Sequence, residues 1–534
     1  MLKPCLSLLM RVAGRLIFPG LPLLWTLAVA LPAPAQRPGN ATPEQKTARA
    51  FDAIRVSPLE LYMFLREMPK GGDLHSHLTG SIYAESYVKW AADAGLCVDR
   101  KSFLLFSPPC DDASGRPAAS TALTDGVLYR RMVDAWSMRN SQYSGQSGHD
   151  QFFDSFGKFG QAGNNRYGDM LAEVTSRAAA GRVDYLELML TPDNGKSREL
   201  GRSMKWPGGA ASESPAGLAK SMEQMRQELL RLGISQAVQE GRDTLNMMEA
   251  RKRELLKCDD PARAEPGCKV AVRYIFQISR SNPPEQAFAQ MVAAMEMARV
   301  EPRLVALNLV QAEDTLPSMA NFPQQMLMLD YLHSVYPKGN ITLHAGELAP
   351  GLVTPEGLRF HIRDSVRKGH ARRIGHGVAL AYEDEPLDLL REMSEKRVMV
   401  EVCLSSNDGI LGVRGKQHPL PLYLKFGVPV ALATDDEGVS RSEITREYVK
   451  AAEDHGLGYL QLKAMARASM EYAFLEGASL WKDASRWVAV KECEKDRADR
   501  AALSGGCQRF LQGSEKARLQ WGLERSFADF EKRH

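Results

Sequence analysis

Gly72-Asp73-Leu74-His75-Ser76-His77 is a short β-compatible run that closes on two histidines one residue apart. On a strand, residues i and i+2 point to the same side, so both rings face one way. Seven more short runs follow along the chain, at 183–190, 270–278, 304–310, 341–344, 373–376, 397–403 and 428–434. Most are nearly continuous in Val, Ile and Leu, the composition of strands covered on both faces. Long helix-compatible stretches separate them, which argues for parallel pairing. Eight such repeats predict an α/β protein with a closed (β/α)8 TIM barrel. The runs at 72–77 and 373–376 are short and rest mainly on the motifs they carry.

The rest of the chain is organised around that barrel. With 534 residues, 44% hydrophobic and 25% charged, the composition is that of a globular protein. The formal net charge of +3 demands neither nucleic acid nor an anionic membrane as partner. Lys3, Arg11 and Arg15 precede an apolar stretch at 16–31, and Ala33-Pro34-Ala35 offers small residues for cleavage. Residues 1–35 therefore read as a signal peptide cut near Ala35, giving a secreted or periplasmic protein. The alternative, an uncleaved anchor, is weakened by Pro19, Pro22, Pro32 and Pro34, since a spanning helix needs about 20 apolar residues. No stable membrane anchor is expected.

Residues 36–70 read as a polar leader and an N-terminal helical arm, with one helical pattern over 42–68 starting at Thr42-Pro43-Glu44. The barrel spans 71–486, with an insertion after the first strand at about 97–180. Within it, 107–120 and 139–150 are rich in loop-forming residues. The stretch 214–257 is helical by its apolar spacing. Residues 487–534 are highly charged and read as a solvated helical tail. Six cysteines lie as sequence-near pairs, Cys97 with Cys110, Cys258 with Cys268 and Cys493 with Cys507. Proximity suggests three local disulfides, as export would allow, without fixing the connectivity. Cys403 sits in an apolar run and reads as a buried free thiol.

In a barrel the C-terminal ends of the strands meet at one mouth, where active sites sit. The ends of the runs carry His75-Ser76-His77, His344-Ala345-Gly346-Glu347, Gly375-His376-Gly377 and Thr434-Asp435-Asp436. His75, His77, His344 and Asp435 would give three imidazoles and a carboxylate, a donor set suited to zinc with a position left open. Iron, cobalt or manganese fit less well. Each motif alone has a plain structural reading: a core histidine, a helix-capping aspartate, a turn between glycines. Taken together at four strand ends, they read as one mononuclear metal site. Zinc lowers the pKa of bound water to about 7. Glu347 would be the general acid/base. His376 would orient the attacking water or stabilise the developing oxyanion. Asp436 is placed to hydrogen-bond a purine nitrogen.

These motifs, in this order, resemble those of the adenosine deaminase family. Met68-Pro69-Lys70-Gly71-Gly72-Asp73-Leu74-His75-Ser76-His77-Leu78 is similar to its opening motif. Glu401-Val402-Cys403-Leu404-Ser405-Ser406-Asn407, His418-Pro419 and Gly427-Val428-Pro429-Val430 are similar to further motifs. The resemblance covers about 68–474. The export signal, arm and insertion look most like the secreted growth-factor-related branch. It implies zinc on His75, His77, His344 and Asp435, with Glu347 protonating purine N1 and His376 assisting the hydroxide. It implies Asp436 accepting a hydrogen bond at N7, and His77 also beside the substrate. Hydroxide would attack C6, turning adenosine or 2′-deoxyadenosine into inosine and ammonia.

The departures fall on the substrate side. Thr79 stands where many members carry Asp near the ribose, and Gln311 where a Gly usually approaches the purine. Leu404 stands where Pro is usual. The expected partner is a small purine nucleoside, with no nucleic acid, and the arm leaves a homodimer open. Two alternatives stand beside this reading: a deaminase of another aminopurine, and a secreted growth-factor-like binding protein with secondary deaminase activity.

Overall fold

The structure, a computed structural model, describes residues 41–206 and 215–534. The expected signal peptide and most of the leader lie outside the described residues.

All eight runs form strands: β1 (Gly71–His77), β2 (Val183–Leu190), β3 (Ala271–Ser279), β4 (Leu304–Val310), β5 (Thr342–Ala345), β6 (Arg373–His376), β7 (Met399–Val402) and β8 (Val430–Leu432). They pair in parallel as two four-stranded sheets, ordered β1-β2-β3-β4 and β8-β7-β6-β5. Single parallel bridges, rather than continuous ladders, join the two sheets at both seams. Leu307 bridges to Ile341, and Ser76 bridges to Asp435. At the second seam Asp435 N donates to His75 O at 2.9 Å and His77 N donates to Asp435 O at 3.2 Å. The first and last strands are thus stitched at the residues that carry the chemistry. Strands β5 to β8 are buried at every position, as the apolar runs require of strands covered on both faces. Helices cover the strands; Tyr448, Leu462, Met465 and Ala466 are among the helical side chains in the shared core.

Three expectations change. The single helical pattern over 42–68 is two helices, α1 (Pro43–Ile54) and α2 (Pro58–Glu67). Pro58 lacks an N–H and fits only a first helical turn, so the chain restarts there. The stretch 214–257 is likewise two helices, Pro215–Leu232 and Ile234–Leu255, parted at Gly233, whose φ is +123°. The tail is not solvated. Its helix Glu515–Arg533 buries Trp521, Leu523, Phe527 and Phe530. Phe530 meets Phe64 of α2 edge-on at 5.0 Å. Lys463 holds Glu531 of the tail and Glu44 of α1 at 2.5 and 2.7 Å. Charge on the outer face of this helix masked an aromatic stripe on its inner one.

The three sequence-near cysteine pairs are disulfides, and Cys403 is free and buried. No helix among the described residues is long and apolar enough to cross a membrane. The insertion after β1 includes a short antiparallel ladder, Cys97–Val98 with Leu105–Phe106, and the helix α3 (Gly148–Phe159). Ser147 caps that helix by accepting from Asp150 N.

Candidate active site and metal centre

Three strand ends, those of β1, β5 and β8, deliver the metal-ligand set. Nε2 of His344 lies 3.0 Å from Nε2 of His75 and 3.2 Å from Nε2 of His77. Asp435 Oδ1 is 3.6 and 3.4 Å from the same two nitrogens of His75 and His77. One atom from each of the four residues falls within 4.8 Å of all the others. Three imidazole nitrogens and a carboxylate oxygen turned on one point are the donors of a divalent metal such as zinc.

The outer nitrogens test that fit. A histidine binding through Nε2 must carry its proton on Nδ1 and give it to a neighbour. His75 Nδ1 lies 2.6 Å from Glu401 Oε2. Glu401 is held in turn by Arg373 at 2.5 Å and Thr342 at 3.0 Å. Burial alone would raise the Glu401 pKa, but Arg373 and His75 bring it down to about 2, so it stays an acceptor. His344 donates from both its backbone N and Nδ1 to Asn308 Oδ1, each at 2.9 Å. The Gln277 amide nitrogen sits 2.8 Å from His77 Nδ1, so a His77 that binds through Nε2 requires that amide turned to present its oxygen. Ser406 donates to Asp435 Oδ2 at 2.7 Å. Burial opposes ionisation of Asp435, yet the surrounding histidines hold its pKa down to about 2. Cys403 Sγ also clusters with nitrogens of His75 and His376. Burial pushes its thiol well above the ordinary range, which keeps it protonated and a poor ligand.

Backbone conformation aims these groups. Asp435 and His376 have φ of +59° and +65°, left-handed values uncommon outside glycine. His376 closes β6 and Asp435 lies three residues past the end of β8, so the chain turns sharply where each side chain is presented, as strained positions at functional sites do. Two glycines make room. A Cβ on Gly375 would stand 2.5 Å from His75 Cε1, and one on Gly80 would stand 1.4 Å from Asp436 Oδ1.

Beside the ligands is a cavity of about 290 Å³, lined on its floor by His77, His344, Glu347, Asp435 and Asp436. That is near the small end of ligand pockets, about 300–1,000 Å³. Glu313 accepts from the backbone N–H groups of Gly346 and Glu347 at 3.1 and 3.0 Å, fixing the turn that presents Glu347. Arg280 lies 3.4 Å from Glu313. Burial, then Asp435 and Glu313, push the Glu347 carboxyl well above the usual range. Burial and Asp435 do the same to Asp436. His376 is fully buried and does not line the cavity; its Nδ1 lies 3.7 Å from Glu347 Oε1. Burial lowers its pKa to about 4, leaving the ring neutral.

Thr79 and Gln311 both line the cavity, with Phe152, Phe153 and Phe156 of α3 and Val310. Gln311 is exposed and has φ +84°, the conformation that a glycine would take without strain. The aromatic wall went unread in the sequence, because three Phe at helical spacing read as core. Glu401, Asn308, Gln277 and Arg280 were also missed. Their only signal was polarity inside apolar strands or at strand ends, where a partner is required.

The family model for adenosine deaminase matches residues 167–480. An adenosine deaminase of Clostridium acetobutylicum is 32% identical over 167 residues, 31% of this chain and 46% of that protein. An adenine deaminase of Rhizobium leguminosarum bv. trifolii is 35% identical over 138 residues, 26% of this chain and 39% of that protein. The matched stretches thus span less than half the length of these curated relatives. Among solved structures, the Arabidopsis N6-mAMP deaminase aligns with TM-score 0.47 and 21% identity, over 78% of this chain and 96% of that one. A zinc-bound amidohydrolase from Burkholderia ambifaria aligns with TM-score 0.44 and 16% identity, over 78% of this chain and 88% of that one. With a family model matching more than half of its length, the chain belongs to the adenosine deaminase family.

Proposed function

We propose that the protein hydrolyses the 6-amino group of adenosine or 2′-deoxyadenosine, giving inosine or deoxyinosine and ammonia, with one zinc ion per chain. The observation that carries this reading is a buried carboxyl, Glu347, lining one cavity with a three-imidazole, one-carboxylate cluster. Zinc bound by His75, His77, His344 and Asp435 supplies a Lewis acid that makes water a nucleophile near neutral pH. Glu347 gives its proton to purine N1, which makes C6 electrophilic. Asp436 hydrogen-bonds N7 and holds the ring in place. The three phenylalanines of α3 cover the ring's apolar faces and exclude water.

A second reading within the family is favoured by one observation. Thr79 and the left-handed Gln311 alter the mouth of the cavity, so another aminopurine could be preferred. Three disulfides support export after removal of residues 1–35, and placement in the secreted branch of the family goes with that.

Ammonia release by the zinc-loaded mature protein tests the reading, with adenosine, 2′-deoxyadenosine, adenine and N6-methyl-AMP offered in parallel. A nucleoside should lead by about tenfold or more in kcat/KM. A faster reaction with adenine or N6-methyl-AMP would move the assignment to that substrate.

A further inference from the structure

Asn407, at the end of one sequence motif, and the His418-Pro419 pair have had no part in the chemistry so far. They meet behind His376. The backbone N–H of Leu420 donates to His418 Nδ1 at 3.1 Å. A backbone amide can only donate, so Nδ1 of His418 is bare and its proton is on Nε2. That Nε2 lies 3.1 Å from Asn407 Oδ1, which must accept. The amide is thereby oriented, and its NH2 faces His376 Nδ1 at 3.0 Å. His376 Nδ1 is the acceptor at the end of the chain. The proton of the neutral ring is on Nε2.

The chain is sealed from water: His376 and Asn407 are fully buried and His418 is 2% exposed. Burial and the neighbouring His455 hold the His418 pKa down to about 3, so it does not gain a second proton. Glu347 Oε1 lies 3.7 Å from His376 Nδ1, beyond hydrogen-bond reach. Nε2 of His376 has no hydrogen-bond partner among the described residues and lies 3.9 Å from Asp435 Oδ2. A buried donor left unmet is costly unless something arrives to accept from it.

The same reasoning gives His344 the opposite state. Its backbone N–H fixes Asn308 Oδ1 as an acceptor, so its own Nδ1 donates and Nε2 is bare for a metal. The two asparagines sort two neighbouring histidines, one into a ligand and one into a donor.

We infer that Asn407 and His418 are positioning residues that set His376 as a hydrogen-bond donor at Nε2, so that it stabilises the oxygen adding to the ring and does not act as a base. What His376 acts on rests on the deaminase reading; the position of its proton does not. His376 keeps its Nε2 proton throughout, so the inference itself moves no proton.

Neutron diffraction from deuterium-exchanged, zinc-loaded wild-type crystals without substrate reads the proton directly. A deuteron on His376 Nε2 and none on Nδ1 is expected. A deuteron on Nδ1 overturns the inference, whatever the enzyme does with adenosine. Asn407→Asp gives the kinetic arm. A carboxylate only accepts, so the tautomer reverses, with kcat for adenosine falling about 10²–10³-fold. KM should stay within about threefold, since ground-state contacts are untouched. A kcat within about threefold of wild type would also overturn it. If Asn407→Asp does not fold, the wild-type neutron map decides alone. If wild type turns over no adenosine, the deaminase reading fails while the map still reports the tautomer.

Discussion

The floor and the mouth of the cavity are built by different means. On the floor, the groups come from strand ends of two parallel sheets. Each ligand is fixed from behind: His75 by Glu401, His344 by Asn308, His77 by Gln277, Asp435 by Ser406. At the mouth, the wall is an insertion helix with three phenylalanines, joined by Thr79 and an exposed Gln311. The floor is polar and its groups are hydrogen-bonded from behind, and the mouth is largely aromatic and built mainly from an added segment. The contrast assigns reaction type to the floor and substrate choice to the mouth, as expected where function sits in a site grafted on a scaffold.

The largest effect should come from the floor. Glu347→Gln removes the donated proton while keeping size, and should lower kcat about 10³-fold. Zinc content by mass spectrometry and the melting temperature should stay at wild-type values. A variant retaining more than a tenth of the activity would show that Glu347 is not the acid. The sign of its pH dependence follows from the raised pKa. The acid form is present below that pKa and is lost as pH rises through it, so kcat/KM should decline on the alkaline side. A profile that keeps climbing through alkaline pH would contradict this.

Glu401 sharpens the contrast, because it lies one layer behind the ligands and touches no substrate. Glu401→Gln should weaken zinc affinity by about 10–100-fold, read by chelator competition. It also leaves Arg373 with one carboxylate, Glu187, in place of two. Unchanged zinc affinity would mean that the floor is not fixed from behind as described.

Mouth changes should act on substrate choice. Phe156→Ala opens the wall and should raise KM about tenfold, the equivalent of about 1.4 kcal/mol, with kcat within a few-fold. A collapse of kcat with KM unchanged would erase the division between floor and mouth. The smallest effect belongs to Gln311→Gly. It relieves a left-handed backbone and should move the melting temperature by no more than about 2 °C. Its reading is the ratio of rates on adenosine and adenine, which should shift more than either rate on adenosine's floor-dependent step.

Much of the floor was legible because strand ends announce themselves. An apolar run that stops on His-x-His, or on Asp435 after Ala-Leu-Ala-Thr, is odd for a core and ordinary for a barrel mouth. The residues behind the ligands were not legible. Glu401 reads as one acid in the run Val398-Met399-Val400-Glu401-Val402, and only the neighbouring strand β6 reveals Arg373 beside it. Asn308 finds His344 across the seam between the two sheets, where one bridge sets the register. The tail shows the opposite failure: its charged residues hid Trp521, Phe527 and Phe530, whose burial depends on α1, α2 and Lys463 being in place.

By itself, then, the sequence determined the eight strands, the metal-ligand set and the acid beside it, because strand periodicity and clustered donor chemistry are local patterns. Tertiary structure alone decided which groups stand behind each histidine, that burial and Asp435 push the Asp436 carboxyl up, and what walls the cavity. Those depend on distances between segments far apart in the chain, on which hydrogen-bond polarity, burial and field all turn.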